Sequence, residues 1–353
     1  MRHLKRQRAV LSDRSNCFYA DKCVVITGAA GSIGSALAAE LADLGCSRLV
    51  LLDHVDHGLL TVAEHIGRSN RSLDVVDALC DIRDRERLSR WMRRVRPDVV
   101  MHAAALKHVH FGERHPSECV LTNLVGVRNA LQAALEAGAQ HFTLVSTDKA
   151  ASPVCVMGAT KRLAELHLTG FEHECGGAIT LKSVRFGNVI GSQGSVVPRF
   201  TAQIAEGGPI EVTHADMERF FMSVEDAVGL ILNVTCAEDG FGAYFMEMGD
   251  PVSIVELGRE MIARSGRDIG IEFTGLRPGE KLKEELFDAA EVVSATTLAG
   301  VFQVSPRSID AAVYTAEVDR LEQVARTCDD AVVVRRLFAL LDARLGREER
   351  AVG

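Results

Sequence analysis

No C-x-x-C pair occurs among the nine cysteines of this 353-residue chain, which removes the usual signatures of a zinc ribbon and of a dithiol redox enzyme. The twelve histidines do not cluster either. His102, His108 and His110 come closest, without the spacing of a metal helix, so no metal is expected. No stretch approaches the roughly 18 apolar residues of a membrane-spanning helix. Arg2, Lys5, Arg6 and Arg8 crowd the start, but no apolar run follows them as it would in a secretory signal. Repeats and low-complexity segments are missing too. Basic charge is in deficit: the net charge is −8 and no basic stripe emerges, so a nucleic-acid partner is not expected. What remains is a globular chain, 47% hydrophobic. It is read as cytoplasmic, because Cys23, Cys46 and Cys80 lie in or beside core elements as free thiols would.

Between residues 23 and 146 short apolar runs alternate with amphipathic stretches. Strands are expected at 23–27, 48–53, 75–80, 98–102 and 142–146. Helices are expected at 33–44, near 58–67, at 85–95 and, as one long element, at 117–137. A sixth strand follows at 179–186. Strands alternating with helices build a parallel sheet covered on both faces. The fold class is therefore α/β: a Rossmann-type doubly wound parallel sheet with a smaller mixed α/β substrate-binding lid domain. The plan is a flexible arm at 1–20, a dinucleotide-binding domain at 21–187, a mainly substrate-binding domain at 188–300 and a C-terminal extension at 301–353. Elements near 223–249 are expected to return to the sheet, and the last helical stretch spans 316–347.

Thr27-Gly28-Ala29-Ala30-Gly31-Ser32-Ile33-Gly34 joins the first strand to the first helix. Gly28 permits the tight turn, Gly31 lets the backbone meet a pyrophosphate, and Gly34 lets helix and strand pack closely. Ala30, Ser32 and Ile33 complete a loop that ends at a helix N-terminus, where amides and dipole favour anions. Asp53 ends the second strand, where a carboxylate accepts from both hydroxyls of an adenosine ribose and repels a 2′-phosphate. NAD is thus favoured over NADP, with His54 beside the ribose. Asp81 and Ile82, ending the third strand, are placed to hold and cover an adenine. Ala103, Ala104 and Ala105 after the fourth strand allow a close approach of cofactor to backbone.

One more absence lies at the reaction centre. Ser146-Thr147-Asp148-Lys149 ends the fifth strand, and Val156-Met157-Gly158-Ala159-Thr160-Lys161 opens the next helix. The layout resembles that of the extended short-chain dehydrogenase/reductases, in which a tyrosine stands four places before the helix lysine. Met157 stands there in this chain, and a thioether cannot exchange a proton in the working pH range. The segments AAALKHV, STDKA, VMGATKRLAE, RFGNVIGSQGSVVP, RFFMSVEDA and GLRPGEKLKEEL closely resemble one family over residues 22–290. These are the nucleotide-sugar 4,6-dehydratases of the capsular and O-antigen polysaccharide type, acting on UDP-N-acetylglucosamine. Many members carry an N-terminal membrane region, for which these 353 residues contain no run. Methionine in place of the tyrosine also occurs in that family.

The resemblance implies a reaction that oxidises sugar C4, eliminates water across C5 and C6, and returns hydride to C6. Such a site needs an acid and a base side by side on a rigid strand end. By resemblance Asp148 is the acid at C6, Lys149 the base at C5, Thr147 a partner of the 4-hydroxyl, and Lys161 the holder of the nicotinamide ribose. Burial and the cations Lys107 and Lys161 are expected to lower the Lys149 pKa. Asp148, Lys149 and a bound water stand as candidates for the group that deprotonates the 4-hydroxyl. Asn188, Arg219 and Arg277 resemble diphosphate ligands, for which a guanidinium fork is suited. Glu280 resembles a uridine-ribose acceptor, and Lys107 and Val197 are further substrate-side candidates. A UDP-sugar substrate and a homo-oligomer follow by analogy. The competing readings are a UDP-sugar 4-epimerase or 5,6-dehydratase, and a catalytically silent dinucleotide-binding sensor.

Overall fold

A computed structural model of the chain describes residues 11–192, 194–305 and 309–347. The first half follows the alternation read from sequence: α1 (Asp13–Phe18), β1 (Cys23–Thr27), α2 (Ser32–Asp43), β2 (Arg48–Asp53), α3 (Asp56–Ser69), β3 (Asp74–Leu79), α4 (Arg85–Val95) and β4 (Val99–His102). Then come α5 (Val109–Arg114), α6 (Pro116–Val120), α7 (Gly126–Glu136), β5 (His141–Val145), α8 (Val156–Cys175) and β6 (Thr180–Arg185). β1 and β4 are buried at every residue, which is why they read as unbroken apolar runs rather than alternating ones.

The second half supplies β7 (Asn188–Val189), α9 (Val196–Glu206), β8 (Ile210–Val212), β9 (Glu218–Arg219), β10 (Phe221–Met222), α10 (Val224–Cys236), β11 (Ala243–Met246), β12 (Val252–Ser253), α11 (Ile254–Ser265) and β13 (Ile271–Phe273). β14 (Val292–Ala295), β15 (Val301–Ser305), α12 (Ala311–Thr327) and α13 (Asp330–Leu345) complete the described residues. The nine-stranded sheet runs β14-β15-β11-β6-β5-β4-β1-β2-β3. It is parallel from β3 to β11, and β15 and β14 add antiparallel pairs at one edge. The order reverses between β1 and β4, the point at which an open α/β sheet leaves a crevice at its strand ends. Apolar cores cover both faces. A third core, built on Phe200, Ile210, Phe221 and Leu257, belongs to the lid. Among the described residues no helix is long and apolar enough to cross a membrane.

Four expectations change. Residues 11–20 carry the helix α1 and are docked rather than a loose arm: Tyr19 is fully buried and its hydroxyl donates to Leu232 O at 2.7 Å, while Ser15 Oγ donates to Asn233 Oδ1 at 2.6 Å. A buried ring with a satisfied hydroxyl outweighs the polar residues around it. Residues 1–10, with the four basic side chains, lie outside the described residues. The helix expected at 117–137 is interrupted by a π turn over Leu121–Val125. β14 and β15, which the sequence divided between lid and extension, belong to the main sheet. The single stretch at 316–347 is two helices, α12 and α13, which fold on each other and on α8. One straight rod could not bury Val318 and Leu321 together with Val333 and Leu337, as this pair does.

Candidate active site

The glycine loop is shaped by contacts that only glycine tolerates. Gly28 sits at φ +70°, and a Cβ there would lie 2.6 Å from Ala104 Cα. A Cβ on Gly34 would lie 2.1 Å from Gly28 O, whereas one on Gly31 would meet only Gly28 O at 3.2 Å. Gly28 and Gly34 thus fold the loop onto β4 and α2. Gly31, the N-cap of α2, adds no side-chain cap, and a helix N-terminus favours an anion. The cradle fits a dinucleotide. Gly34→Ala should cost about 1–3 kcal/mol of packing and weaken dinucleotide affinity by about tenfold or more, measured by calorimetric titration of NAD.

The second-strand acid has a structural duty first. Asp53 Oδ2 accepts from Ala30 N at 2.9 Å and Oδ1 accepts from His54 N and Val55 N at 2.8 and 3.0 Å. Asp81 is held by Arg83 through its Nε and Nη2, and that guanidinium keeps the carboxyl below its ordinary range against the effect of burial. Ile82 is buried and its side chain packs on Gly126 of α7. Ala104 supports the glycine loop instead of lining the cleft.

A cavity of about 550 Å³ joins this loop to the lid. Gly28, Gly31, Ser32, Ile33, Gly34, Ala103 and Ala105 line its cofactor end, and Thr147, Lys149, Met157 and Lys161 its middle. Lys107, Asn188, Arg219 and Glu280 line the lid side. Ala30, Asp53, His54, Asp81, Ile82, Ala104, Asp148, Val197 and Arg277 are not on its wall. Val196 and Val197 both pack against the lid core, and of the two Val196 also lines the cavity; consecutive helix residues point about 100° apart. Arg277 stands one turn outside Glu280, whose Oε2 accepts from its backbone N at 3.2 Å.

At the centre, Thr147 Oγ1 donates to Asp148 Oδ1 at 2.8 Å, and Lys149 Nζ donates to the same oxygen at 3.0 Å. Lys149 Nζ also lies 3.5 Å from Glu284 Oε1, which is 4.0 Å from Arg219 Nη2. A Cβ on Gly158 would lie 2.4 Å from Lys149 O, so this glycine seats α8 against the turn at Asp148–Ala150. Lys161 Nζ donates to Val145 O at 2.8 Å, and burial pushes its pKa down to about 8, partly opposed by Glu165 and Cys119. Lys149 departs from expectation. Burial does act to lower its pKa, but Asp148 and Glu284 outweigh burial and the neighbouring Arg219, and the net direction is upward. Two carboxylates hold it as an ammonium, and the cations that count do not include Lys107 or Lys161.

Several participants were not singled out from sequence. Asn123, fully buried in the π turn, accepts from Leu106 N at 2.8 Å and donates to Leu106 O at 3.0 Å and to Thr160 Oγ1 at 3.1 Å. The π turn therefore fixes the loop that carries Ala105 and Lys107, a use to which such interruptions are often put. His108 and His110 line the wall with pKa values lowered, chiefly by burial. Beneath Ser146, whose Oγ donates to Glu165 Oε1 at 2.6 Å, Arg162 and Arg185 pair with Glu165 and Glu291. Glu284, buried on the cavity wall, lies four residues past Glu280 among Lys281, Lys283 and Glu285, a run that reads as a solvated face. Its motif was the only signal that could have found it.

A family profile described as "Polysaccharide biosynthesis protein" matches residues 24–306, spanning both the glycine loop and the lid. The chain belongs to this family. Members similar to it include the "Capsular polysaccharide biosynthesis protein CapD" of Staphylococcus aureus, 38% identical over 276 residues. That match takes in 77% of this chain and 46% of the relative, so the chain spans about half of CapD's length. The "UDP-N-acetylglucosamine 4,6-dehydratase (inverting)" of Campylobacter jejuni serotype O:2 is 32% identical, covering 81% of this chain and 83% of that protein. A "UDP-glucose 4-epimerase" of Rickettsia akari is also 32% identical, covering 86% and 89%. Among solved structures, Pen from Bacillus thuringiensis superposes with a TM-score of 0.75 at 33% identity, covering 83% of this chain and 89% of Pen. The family resemblance and the Rossmann-type fold read from the motifs are thereby established.

Proposed function

We propose that the protein is an NAD-dependent nucleotide-sugar 4,6-dehydratase acting on UDP-N-acetylglucosamine or a close UDP-N-acetylhexosamine. The observation that carries this reading is the Asp148–Lys149 pair joined to Thr147 at the end of β5, beside a Met157 that has no proton to exchange. An epimerase needs no acid and base directed at C5 and C6. The C. jejuni dehydratase, similar over most of its length, supports the choice. The glycine cradle and the buried Asp53 suit NAD, and a nicotinamide placed there would take hydride from C4 and return it to C6.

The chain's own groups move the protons. Because Thr147 donates to Asp148, its oxygen is left to accept the proton of the sugar 4-hydroxyl while passing its own to Asp148. Asp148, so protonated, gives that proton to the leaving C6 hydroxyl, and Lys149 exchanges the proton at C5. Lys161 places positive charge near the developing oxyanion, and Arg219 with Asn188 holds the diphosphate on the lid side.

Incubation with UDP-N-acetylglucosamine should lower the sugar-nucleotide mass by one water with no added reductant. The R. akari relative favours 4-epimerisation as the second reading. That outcome leaves the mass unchanged and inverts C4, which proton spectroscopy of the sugar distinguishes. Tight NAD binding with neither change across a panel of UDP-hexosamines would instead support a silent sensor.

A further inference from the structure

Glu284 is a buried carboxylate on the cavity wall that the steps above leave without a task. Its Oε1 faces Lys149 Nζ at 3.5 Å and Arg219 Nη2 at 4.0 Å. Its Oε2 is buried and finds no donor among the described residues. A buried acceptor with no donor is left short of a hydrogen-bond partner. Lys149 has the opposite problem. A base at C5 must be a neutral amine, yet its neighbours hold it charged. The groups facing or flanking its nitrogen are Asp148 from its own turn, Glu284 from the segment after the Arg277–Glu280 turn, Arg219 from β9 and the Cys155 thiol at the start of α8.

We propose that Glu284 is the third member of the acid–base centre, the carboxylate that takes the Lys149 proton and later returns it; the proposal rests on the dehydratase reading. An N–H bond of the ammonium breaks, its electron pair stays on Nζ, and an O–H bond forms on Glu284. Neutral Nζ then takes the C5 proton, and the pair left at C5 expels the C6 hydroxyl, which receives a proton from Asp148. When the hydride removed from C4 has reached C6, Nζ returns its proton to C5 and Glu284 restores the proton to Nζ. The 4-hydroxyl proton, carried by Thr147 and Asp148, departs in the water. The cluster ends as it began, and no outside acid or base is consumed.

An internal transfer of this kind makes the rate insensitive to pH, whereas a lysine that must lose its proton to solvent follows pH about tenfold per unit below its pKa. The test compares the wild-type holoenzyme with Glu284→Gln on UDP-N-acetylglucosamine, reading dehydration and C5 deuterium uptake from mildly acid to alkaline pH. Glu284→Gln should be slower by about 100-fold near neutrality, with KM little changed and a deficit that shrinks as pH rises. A deficit equal at every pH, or none, overturns the proposal. Glu284→Ala with added formate is the second arm, and serves if Glu284→Gln proves unstable: a rate that climbs with formate supports proton transfer at this position, and a rate indifferent to formate overturns it. If the wild-type protein removes no water, the dehydratase reading falls and takes this proposal with it. If the wild-type is active and the variants behave otherwise than stated, this proposal falls alone.

Discussion

Lys149→Ala is expected to abolish C5 deuterium exchange from heavy water and to lower dehydration by about 10²–10⁴-fold, the usual range for loss of a positioned proton-transfer group. Met157→Leu should leave both within a few-fold, because a branched aliphatic side chain fills nearly the same volume. Mass spectrometry of the product in heavy water reads both variants at once. The contrast is the point. Met157 is buried against the cavity but offers no titratable atom, while Lys149 Nζ sits between two carboxylates at 3.0 and 3.5 Å. If the methionine variant were the inactive one, the roles given to Asp148 and Lys149 would be wrong.

Arg185→Ala is expected to destabilise the fold by about 3–5 kcal/mol, because it strands buried carboxylates that lose a charged partner. The Arg185 guanidinium is fully buried and reaches Glu165 at 2.7 Å and Glu291 at 2.8 Å. Arg162 alone would then face both. Arg83→Ala, which breaks partly exposed pairs with Asp81 and Glu118, should cost less than about 1 kcal/mol. Urea unfolding measures both. The pH dependence has a definite sign. Glu165 is held below its ordinary value although burial acts the other way, and Glu291 is held down at about 2 by Arg185 and Arg162 against the same opposition. Their contribution is complete above the unfolded carboxylate value of about 4.3 and fades as pH falls toward 2. The gap between wild-type and Arg185→Ala should therefore narrow in acid below about pH 4.

The same network reaches the strand end on which the chemistry is proposed. Glu165 accepts from Ser146, the residue before Thr147, so the ion cluster grips that strand end. Arg185→Ala should then impair catalysis as well as folding. Only the Arg162–Glu165 pair is local, three positions apart on α8; Glu291 lies 129 positions beyond Arg162 (291 − 162). The links through Arg185 and Glu291 exist only once β6 lies beside β5 and the segment before β14 closes over them.

Other features were legible because the information is local. The glycine loop sets Gly28 and Gly34 six positions apart, and the close packing read for Gly34 is the approach found to Gly28 O, whereas the contact of Gly28 with Ala104 needed the fold. The unbroken apolar runs of β1 and β4 encode a sheet buried on both sides. The strand-end order Thr147-Asp148-Lys149 placed an acid and a base together with no need of tertiary information. The faces presented by Val197 and Ile82 were not legible, because each depends on packing against distant parts of the chain.

By itself, then, the sequence determined the family, the doubly wound sheet and the loop and turn on which the chemistry is proposed, since each is written in residues adjacent along the chain. Only the tertiary structure decided the charge of Lys149. Sequence offered burial and nearby lysines, both of which lower its pKa, but folding instead brings Asp148 and Glu284 to its nitrogen. Opposite charges at 3.0 and 3.5 Å outweigh the loss of water around the ammonium, and the distance that matters, from residue 149 to residue 284, exists only in the folded chain.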